Sequence, residues 1–303
     1  MTTNTLKFAF FGTPNVASET LEILKQNGYI PSLIVTAPDK PQGRKMLITP
    51  PLVKTWAIEN NIPYIQPEKI IQEQIYDVLR TSSQADEPRK AIFQQENTRG
   101  EQNIIDLFII VAYGKILPEN IINMPKLGSI NIHYSLLPKY RGASPVESAI
   151  LNGDKKTGIT IQKMEYKMDS GPIIAQEEVK IDDDEKEPIL KKRLTKIGAE
   201  LLVKILNTTP SGDSPLSGGD LMPQDESRAT YCKKIKKEDG LVDLITNLPN
   251  ELYNKFRAYH KWPRTFFFQN NKRIIITDAI LKDGKFIIKK IIPESGKEQD
   301  YKE

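Results

Sequence analysis

The chain has 303 residues, of which 39% are apolar and 27% charged, and its formal net charge is +4. No run of about 18 apolar residues occurs, which excludes a transmembrane helix. The first residues lack the apolar core of a signal peptide, so a cytoplasmic protein of bacterial type is expected. Cys232 is the single cysteine and excludes an internal disulfide, and with only two histidines a zinc site is not expected.

The positive charge is concentrated in the last quarter of the chain. From residue 225 onward there are 17 Lys and Arg against 12 Asp and Glu, whereas the preceding 224 residues have a net charge of −1. Such asymmetry indicates a polyanionic partner, most simply nucleic acid. A solvated lysine-rich surface explains the same charge pattern equally well.

Strand and helix patterns alternate over the first 133 residues. Short apolar runs predict strands at Leu6–Phe11, Ser32–Thr36, Pro63–Ile65, Leu107–Ala112 and Ser129–His133. Apolar residues at helical spacing predict helices that begin at Asn15 and that cover Leu52–Asn60 and Glu68–Leu79. This order is typical of a doubly wound, Rossmann-like α/β sheet, whose ligands bind at the carboxyl ends of the strands. His133 lies at such an end.

The rest of the chain predicts a hairpin, a long helix, a linker and a β-rich module. The polar stretch from Thr81 to Asn103 is predicted to be a surface insertion. Further elements are predicted at Gly158–Lys163, Pro172–Ile181, Glu187–Leu206, Arg273–Thr277, Ala279–Leu281 and Lys285–Ile292. The Pro-, Gly- and Ser-rich residues 208–224 predict a linker between a catalytic domain at 1–207 and a basic domain at 225–303.

Asn131, His133 and Asp169 are the candidate catalytic residues. In an extended segment, positions i and i+2 face the same side, so Asn131 and His133 would point into one pocket. Acyl transfer to an amine needs a donor for the developing oxyanion, a group that accepts the amine proton and a group that tunes it. An amide, an imidazole and a carboxylate can supply these roles. From the residues alone, a buried structural histidine and an ordinary Asp-Ser-Gly turn remain open alternatives.

Three motifs together resemble the folate-dependent formyltransferase family: Asn131–Pro138, Arg141–Pro145 and Met168–Gly171. The resemblance implies transfer of a formyl group from 10-formyltetrahydrofolate to an amine, without a metal, on a doubly wound domain. It implies that Asn131, His133 and Asp169 are the catalytic residues. It also implies folate contacts from two segments, whose residues are Tyr113, Gly114, Ser135, Leu136, Leu137 and Pro138.

Further motifs, Phe11–Pro14 and Pro38–Arg44, are similar to the branch of that family that formylates methionine carried by initiator tRNA. Ala229–Ile235 and Phe256–Pro263 are similar to the tRNA-facing C-terminal domain of this branch, which is usually an OB-like barrel. The resemblance implies tRNA contacts from basic residues of both regions, namely Lys40, Arg44, Lys45, Lys233, Lys234, Lys236, Lys237 and Arg257. A solvated basic loop is the alternative for the N-terminal group.

Two features depart from the pattern of the family: the C-terminal module, and the insertion from Thr81 to Asn103, which has no recognised counterpart. The strand region Ile274–Ile292 is shorter than the barrel of the family, so a small, mostly β, reduced or open barrel is expected. His260 is predicted to be structural rather than catalytic.

Two other functions stay open. One is a formyltransferase for a small amine, such as an amino sugar or a purine precursor, which would not need the basic C-terminal module. The other is a tRNA-binding protein with an inactive formyltransferase domain, which the intact catalytic residues argue against. The expected protein is a monomer whose partners are initiator tRNA and the folate co-substrate.

Overall fold

The computed structural model of the chain describes residues 6–43, 46–83, 105–208, 216 and 221–302. The chain forms two compact units, each assembled from three stretches. Unit 1 comprises residues 1–133, 160–175 and 195–224, and unit 2 comprises residues 134–159, 176–194 and 225–303. Each unit joins stretches that are separated in the sequence, so its limits cannot be compared directly with a single boundary in the chain. The domain limits predicted at 1–207, 208–224 and 225–303 stay predictions.

The described residues alternate strongly between strands and helices. The strands are β1 Phe8–Gly12, β2 Leu33–Val35, β3 Lys40–Gln42, β4 Leu47–Thr49, β5 Tyr64–Ile65, β6 Leu107–Val111, β7 Ser129–His133, β8 Arg141–Gly142, β9 Lys156–Lys163, β10 Ile173–Lys180, β11 Tyr231–Cys232, β12 Phe266–Gln269, β13 Lys272–Lys282, β14 Lys285–Pro293 and β15 Gln299–Asp300. The α-helices are α1 Asn15–Gln26, α2 Leu52–Glu59, α3 Gln72–Ser83, α4 Glu119–Ile122, α5 Pro145–Leu151, α6 Glu187–Thr208 and α7 Pro249–Ala258.

A largely parallel sheet organises the catalytic half of the chain. Its strand order is β10–β9–β7–β6–β1–β2–β5. The neighbours from β5 to β7 are parallel, and β9 joins β7 as an antiparallel strand. The predicted doubly wound α/β class is therefore confirmed.

The sequence explains why β1 and β6 lie in the middle of this sheet. Both are continuous apolar runs, and every residue of both strands is buried, as expected for parallel strands covered on both faces. A β-carbon added at Gly12, where β1 ends, would lie 2.5 Å from the β-carbon of Ala17 in α1. The first turn is thus tight because α1 packs directly against the end of β1.

Unit 2 contains the second, antiparallel sheet, in the order β12–β13–β14–β15. Helix α7 packs Leu252 and Phe256 into a core with Phe267, Ile274 and Ile276. The predicted C-terminal β module is confirmed as an antiparallel sheet domain. In the part of the chain that the structure describes, no strand pairing joins β12 to β15, so the sheet is open.

Three regions differ from the predicted elements or lie outside them. Helix α3 begins at Gln72 rather than Glu68, because the side chain of Gln74 accepts a hydrogen bond from the backbone N–H of Ile71 at 3.2 Å. The segment from Pro38 to Pro51, for which the sequence patterns predict no strand, contains the short hairpin of β3 and β4. Most of the predicted insertion, residues 84–103, lies outside the described residues. No helix among the described residues is long and apolar enough to cross a bilayer.

Candidate active site

Strand β7 brings Asn131 and His133 to one face of the sheet. The antiparallel register with β9 places Gln162 opposite Asn131 and Thr160 opposite His133. Residues that lie directly opposite each other in an antiparallel pair share a face. His133, Thr160 and Gln162 are buried, and Asn131 is half-buried. Four polar side chains therefore meet where β7 ends, the edge at which α/β sheets bind ligands.

Asp169 faces this group from the loop between β9 and β10. Its Oδ2 lies 3.8 Å from Nδ1 of His133, and the two side chains are 17% and 6% exposed. This separation is longer than a hydrogen bond, and it places the carboxylate next to the imidazole in a site largely shielded from water. The structure thus brings the third predicted catalytic residue beside the second.

The Asp-Ser-Gly turn has a steric requirement of its own. Asp169 has φ +50°, in the left-handed region that aspartate tolerates better than most residues. A β-carbon on Gly171 would lie only 1.8 Å from the carbonyl oxygen of Lys163. Glycine is therefore needed for the loop to fold back against β9 and present Asp169 to His133.

Two glutamines that sequence reasoning missed hold Asp169 in place. Gln162 donates from Nε2 to Oδ1 of Asp169 at 3.1 Å. Gln224 donates from Nε2 to Oε1 of Gln162 at 3.2 Å, to the carbonyl of Asp169 at 2.9 Å and to the carbonyl of Gly171 at 2.7 Å. The one sequence signal for Gln162 is a polar residue within the apolar run of β9, and the linker composition gives no signal for Gln224.

Tyr113 and Gly114, predicted folate contacts, follow the end of β6. Tyr113 is 3% exposed, and burial raises its pKa to about 12. Its hydroxyl is buried and has no hydrogen-bond partner within the described part of the chain. A buried donor without a partner is costly, so this hydroxyl suits a polar atom of a bound ligand. Gly114 adopts φ +79° and leaves open space where a side chain would stand.

The other predicted folate segment, residues 135–138, directly follows β7 in the chain. Its two buried residues are Ser135 and Leu137, and Leu136 and Pro138 are half-buried. Ser135 donates from Oγ to the carbonyl of Lys139 at 2.6 Å, which ties the segment into a turn. Gln176 donates from Nε2 to the carbonyl of Leu137 at 2.8 Å. This backbone is therefore held at both ends.

The predicted tRNA contacts fall into three groups. Five are exposed, as phosphate binding requires: Lys40, Lys233, Lys234, Lys236 and Lys237. Arg44 and Lys45 lie outside the described residues. Arg257 is 5% exposed and donates to the carbonyls of Asp182 and Glu185 and to Oδ1 of Asn254. Because its donors face the interior of unit 2, this placement favours a structural role for Arg257 over a phosphate contact.

His260, the second histidine, packs against the ring of Phe256. His260 is half-buried, its ring centre lies 5.9 Å from that of Phe256 in an edge-to-face arrangement, and burial lowers its pKa. This packing agrees with the predicted structural role. Over the described ranges, no group of three or more His, Cys, Asp and Glu side chains is placed to hold a metal ion.

Comparison with known proteins accounts for most of the chain. A profile described as "Formyl transferase" matches residues 6–206, and one described as "Formyl transferase, C-terminal domain" matches residues 234–300. The chain belongs to the formyl transferase family. The resemblance that the sequence motifs suggested is thereby confirmed.

Relatives of this formyl transferase carry a more specific name. Proteins named methionyl-tRNA formyltransferase are 37% identical to it in Sulfurihydrogenibium sp. and 38% identical in Thermotoga maritima. The first match covers 90% of this chain and 80% of the relative, and the second covers 89% and 77%.

Solved structures show that the fold is shared widely within the family. An N-formyltransferase from Helicobacter canadensis, solved in complex with folinic acid and dTDP-3-aminofucose, has a TM-score of 0.63 and 20% identity, covering 92% of this chain and 88% of its own. The methionyl-tRNA formyltransferase from Clostridium thermocellum has a TM-score of 0.60 and 16% identity, covering 98% and 100%. At such identities these likenesses to the formyl transferase concern the fold alone.

Proposed function

We propose that this chain transfers a formyl group from 10-formyltetrahydrofolate to the α-amino group of methionine charged on initiator tRNA. The observation that carries the proposal is the approach of Asp169 to His133 beside Asn131, at the end of a central strand. The methionyl-tRNA formyltransferases that match about nine tenths of the chain support this choice of acceptor. Arrangement and relatives point to the same reaction class.

The chemistry follows from the three side chains. The methionine nitrogen attacks the formyl carbon, and negative charge develops on the formyl oxygen, which the Asn131 amide and the His133 imidazole stabilise. Asp169 orients His133 and helps to remove the proton that the attacking nitrogen loses. The new C–N bond remains, the bond from carbon to N10 of the folate breaks, and N10 takes up a proton. The atoms balance with no metal.

Folate recognition is proposed for the residues that the family motifs single out. The buried, unpaired hydroxyl of Tyr113 offers a donor to the ligand, and Gly114 leaves room beside it. The segment from Ser135 to Pro138 supplies apolar surface from the half-buried Leu136, on a backbone held by hydrogen bonds. These features suit a flat ring system with polar edges.

We propose that cationic side chains bind the phosphates of the tRNA and do not read individual bases. Lys40 is exposed in β3, and Arg44 and Lys45 follow it in the sequence but lie outside the described residues. Lys233, Lys234, Lys236 and Lys237 are exposed in the basic C-terminal part. Lysine and arginine contacts to phosphates give affinity that falls steeply with salt. We further propose that the enzyme acts as a monomer in the cytoplasm.

The test of this function is a competition between acceptors. The purified full chain receives 10-formyltetrahydrofolate labelled in the formyl group, with charged initiator tRNA and an amino-sugar nucleotide present together. We expect the label on methionine, and we expect the transfer rate at limiting tRNA to fall steeply as salt is raised. Label on the amino sugar, with a rate insensitive to salt, would replace this proposal with the small-amine alternative. Binding of tRNA without any transfer would indicate the inactive-domain alternative.

A further inference from the structure

The amides of Gln162 and Gln224 form a chain of hydrogen bonds that ends on Asp169. Gln162 bonds one carboxylate oxygen, Oδ1, at 3.1 Å, and the other oxygen, Oδ2, faces His133 at 3.8 Å. One oxygen of Asp169 is thus bonded by a neutral donor, and the other lies on the side of the imidazole. The hydrogen bond from Gln162 restricts the orientation of the Asp169 carboxylate.

Gln224 determines which way the amide of Gln162 points. Its Nε2 faces three oxygen atoms, so this end must be the NH2 group. Its two hydrogens serve three oxygen neighbours, so the longest contact, at 3.2 Å to Oε1 of Gln162, shares a hydrogen with one of the shorter bonds to the carbonyls and favours the oxygen of Gln162 at this position. The NH2 group of Gln162 is therefore turned toward Asp169. If the Gln162 amide were flipped, its oxygen would face the carboxylate of Asp169 and its NH2 group would face the NH2 group of Gln224.

The backbone anchors Gln224 beside the Asp169 loop. Met222 and Ile173, at the start of β10, exchange two hydrogen bonds of 2.8 and 3.0 Å in an antiparallel bridge. Gln224 lies two residues after Met222, and its side chain reaches the carbonyls of Asp169 and Gly171. Both the bridge and the side chain belong to unit 1. The end of the predicted linker is consequently part of the support of the catalytic loop.

We propose that Gln162 and Gln224 are positioning residues for the formyl transfer: Gln224 orients Gln162, and Gln162 holds Asp169 so that one carboxylate oxygen faces His133. This inference rests on the proposed function, in which Asp169 and His133 handle the amine proton. Neither glutamine touches the reacting atoms in this scheme. Their effect should be on the rate of chemistry and not on substrate binding.

The kinetic test uses Gln162→Met and Gln224→Met, which keep side-chain length and remove the amide. We expect kcat to fall about tenfold or more in Gln162→Met, the size that corresponds to losing one hydrogen bond to a charged group, and to fall in Gln224→Met because the Gln162 amide is no longer oriented, with KM for tRNA and folate unchanged in both. Gln66→Met is the matched control, since Gln66 donates to the carboxylate of Asp39 and to the carbonyl of Ala37, both at 2.7 Å, and is assigned no catalytic role. Its kcat should stay at the wild-type value.

The double variant tests whether the two amides act as one chain. If Gln224 works through Gln162, Gln162→Met/Gln224→Met should lose little more activity than Gln162→Met alone. If the fold losses in kcat of the two single variants multiply in the double variant, Gln224 does not act through Gln162. Gln162→Glu is the second variant in case Gln162→Met does not fold. It keeps the size and polarity of the residue but sets an oxygen against Asp169, so it should lose activity as well.

A readout without substrates separates this inference from the proposed function. Because the chain has two histidines, the ring ¹⁵N resonances of His133 and His260 can be followed separately. Gln162→Met and Gln224→Met should shift the His133 signals and leave those of His260 in place. Unchanged His133 signals, or kcat within about twofold of wild type in both variants, would overturn the positioning role. If the wild-type enzyme formylates no tRNA but the glutamine variants still shift the ¹⁵N signals of His133, the proposed function is contradicted and the positioning role is not.

Discussion

At the scale of single residues, the site depends on how Asp169 reaches His133. Asp169 stands on a left-handed turn that the close approach of Gly171 to Lys163 makes possible. Both His133 and Asp169 are largely shielded from water, so their attraction is screened less than that of a surface pair. Asn131 lies on the same face as His133, where the proposed reaction needs a donor for the oxygen on which charge develops.

Arg257 shows at the same scale how a residue type can mislead. In the sequence it stands in the basic C-terminal part and predicts a phosphate contact. In the structure its guanidinium donates to three acceptors of unit 2 and lies over the ring of Tyr253 at 5.4 Å. Burial lowers the pKa of Arg257, because the charged form is less well hydrated. The Arg257 side chain therefore bonds and packs within unit 2.

The prediction for Arg257 contrasts it with two exposed lysines. Arg257→Met should destabilise the protein by about 2 kcal/mol, because it leaves buried acceptors unpaired, and should barely change the salt dependence of tRNA binding. Lys233→Ala/Lys234→Ala should leave stability unchanged and lower the slope of log affinity against log salt by about 2. Urea unfolding and tRNA binding at several salt concentrations measure both effects. A reduced slope in Arg257→Met with normal stability would return Arg257 to the phosphate contacts.

At the scale of elements, a buried ion triad ties α6 to α5 within unit 2. Lys191 of α6 bonds Glu147 of α5 at 2.9 Å and also pairs with Glu187, one turn earlier in α6. Burial raises the pKa of Glu187, against the opposing effect of Lys191. Burial disfavours the charged form of Lys191, but the two carboxylates outweigh it and raise its pKa. The triad holds together only while its central cation is present.

Lys191→Met should therefore destabilise the protein by about 2 kcal/mol. Removal of the cation leaves two shielded carboxylates unpaired, although the 34% exposure of Lys191 keeps the cost below that of a fully buried pair. Lys192→Met, the adjacent exposed lysine of the same helix, is the matched control and should change stability by about 0.5 kcal/mol or less. Urea unfolding curves of the two variants decide the matter. Equal stabilities would mean that the triad contributes nothing.

The sequence predicts the elements better than it predicts the contacts between them. Continuous apolar runs mark β1 and β6, and the confirmed strand β7 places Asn131 and His133 on one face because the period of a strand is two residues. The hairpin of β3 and β4 escapes prediction because its strands have three residues each and because Lys40, Pro41, Leu47 and Ile48 are exposed, so that no buried apolar run marks it. Gln162 and Gln224 escape as partners because their meeting depends on strand register and on a backbone bridge that no local pattern encodes.

At the scale of the whole molecule, family membership and charge distribution bear on different parts of the function. The formyl transferase profiles cover residues 6–206 and 234–300 and account for both sheets. The excess of basic residues from residue 225 onward favours binding of a polyanion. A transferase that acts on a small amine would not need this excess. The proposed substrate is the one that uses both halves of the chain.

The most direct test of the central claim is the single-turnover rate of formyl transfer to charged initiator tRNA in wild type, His133→Ala and Asp169→Asn. We predict transfer by the wild type and a rate at least about 100-fold lower in both variants, with tRNA binding unchanged, because proton transfer and oxyanion stabilisation are lost. His260→Ala is the matched control and should keep the wild-type rate. Wild-type rates in His133→Ala, or the same loss in His260→Ala, would contradict the assignment of the active site.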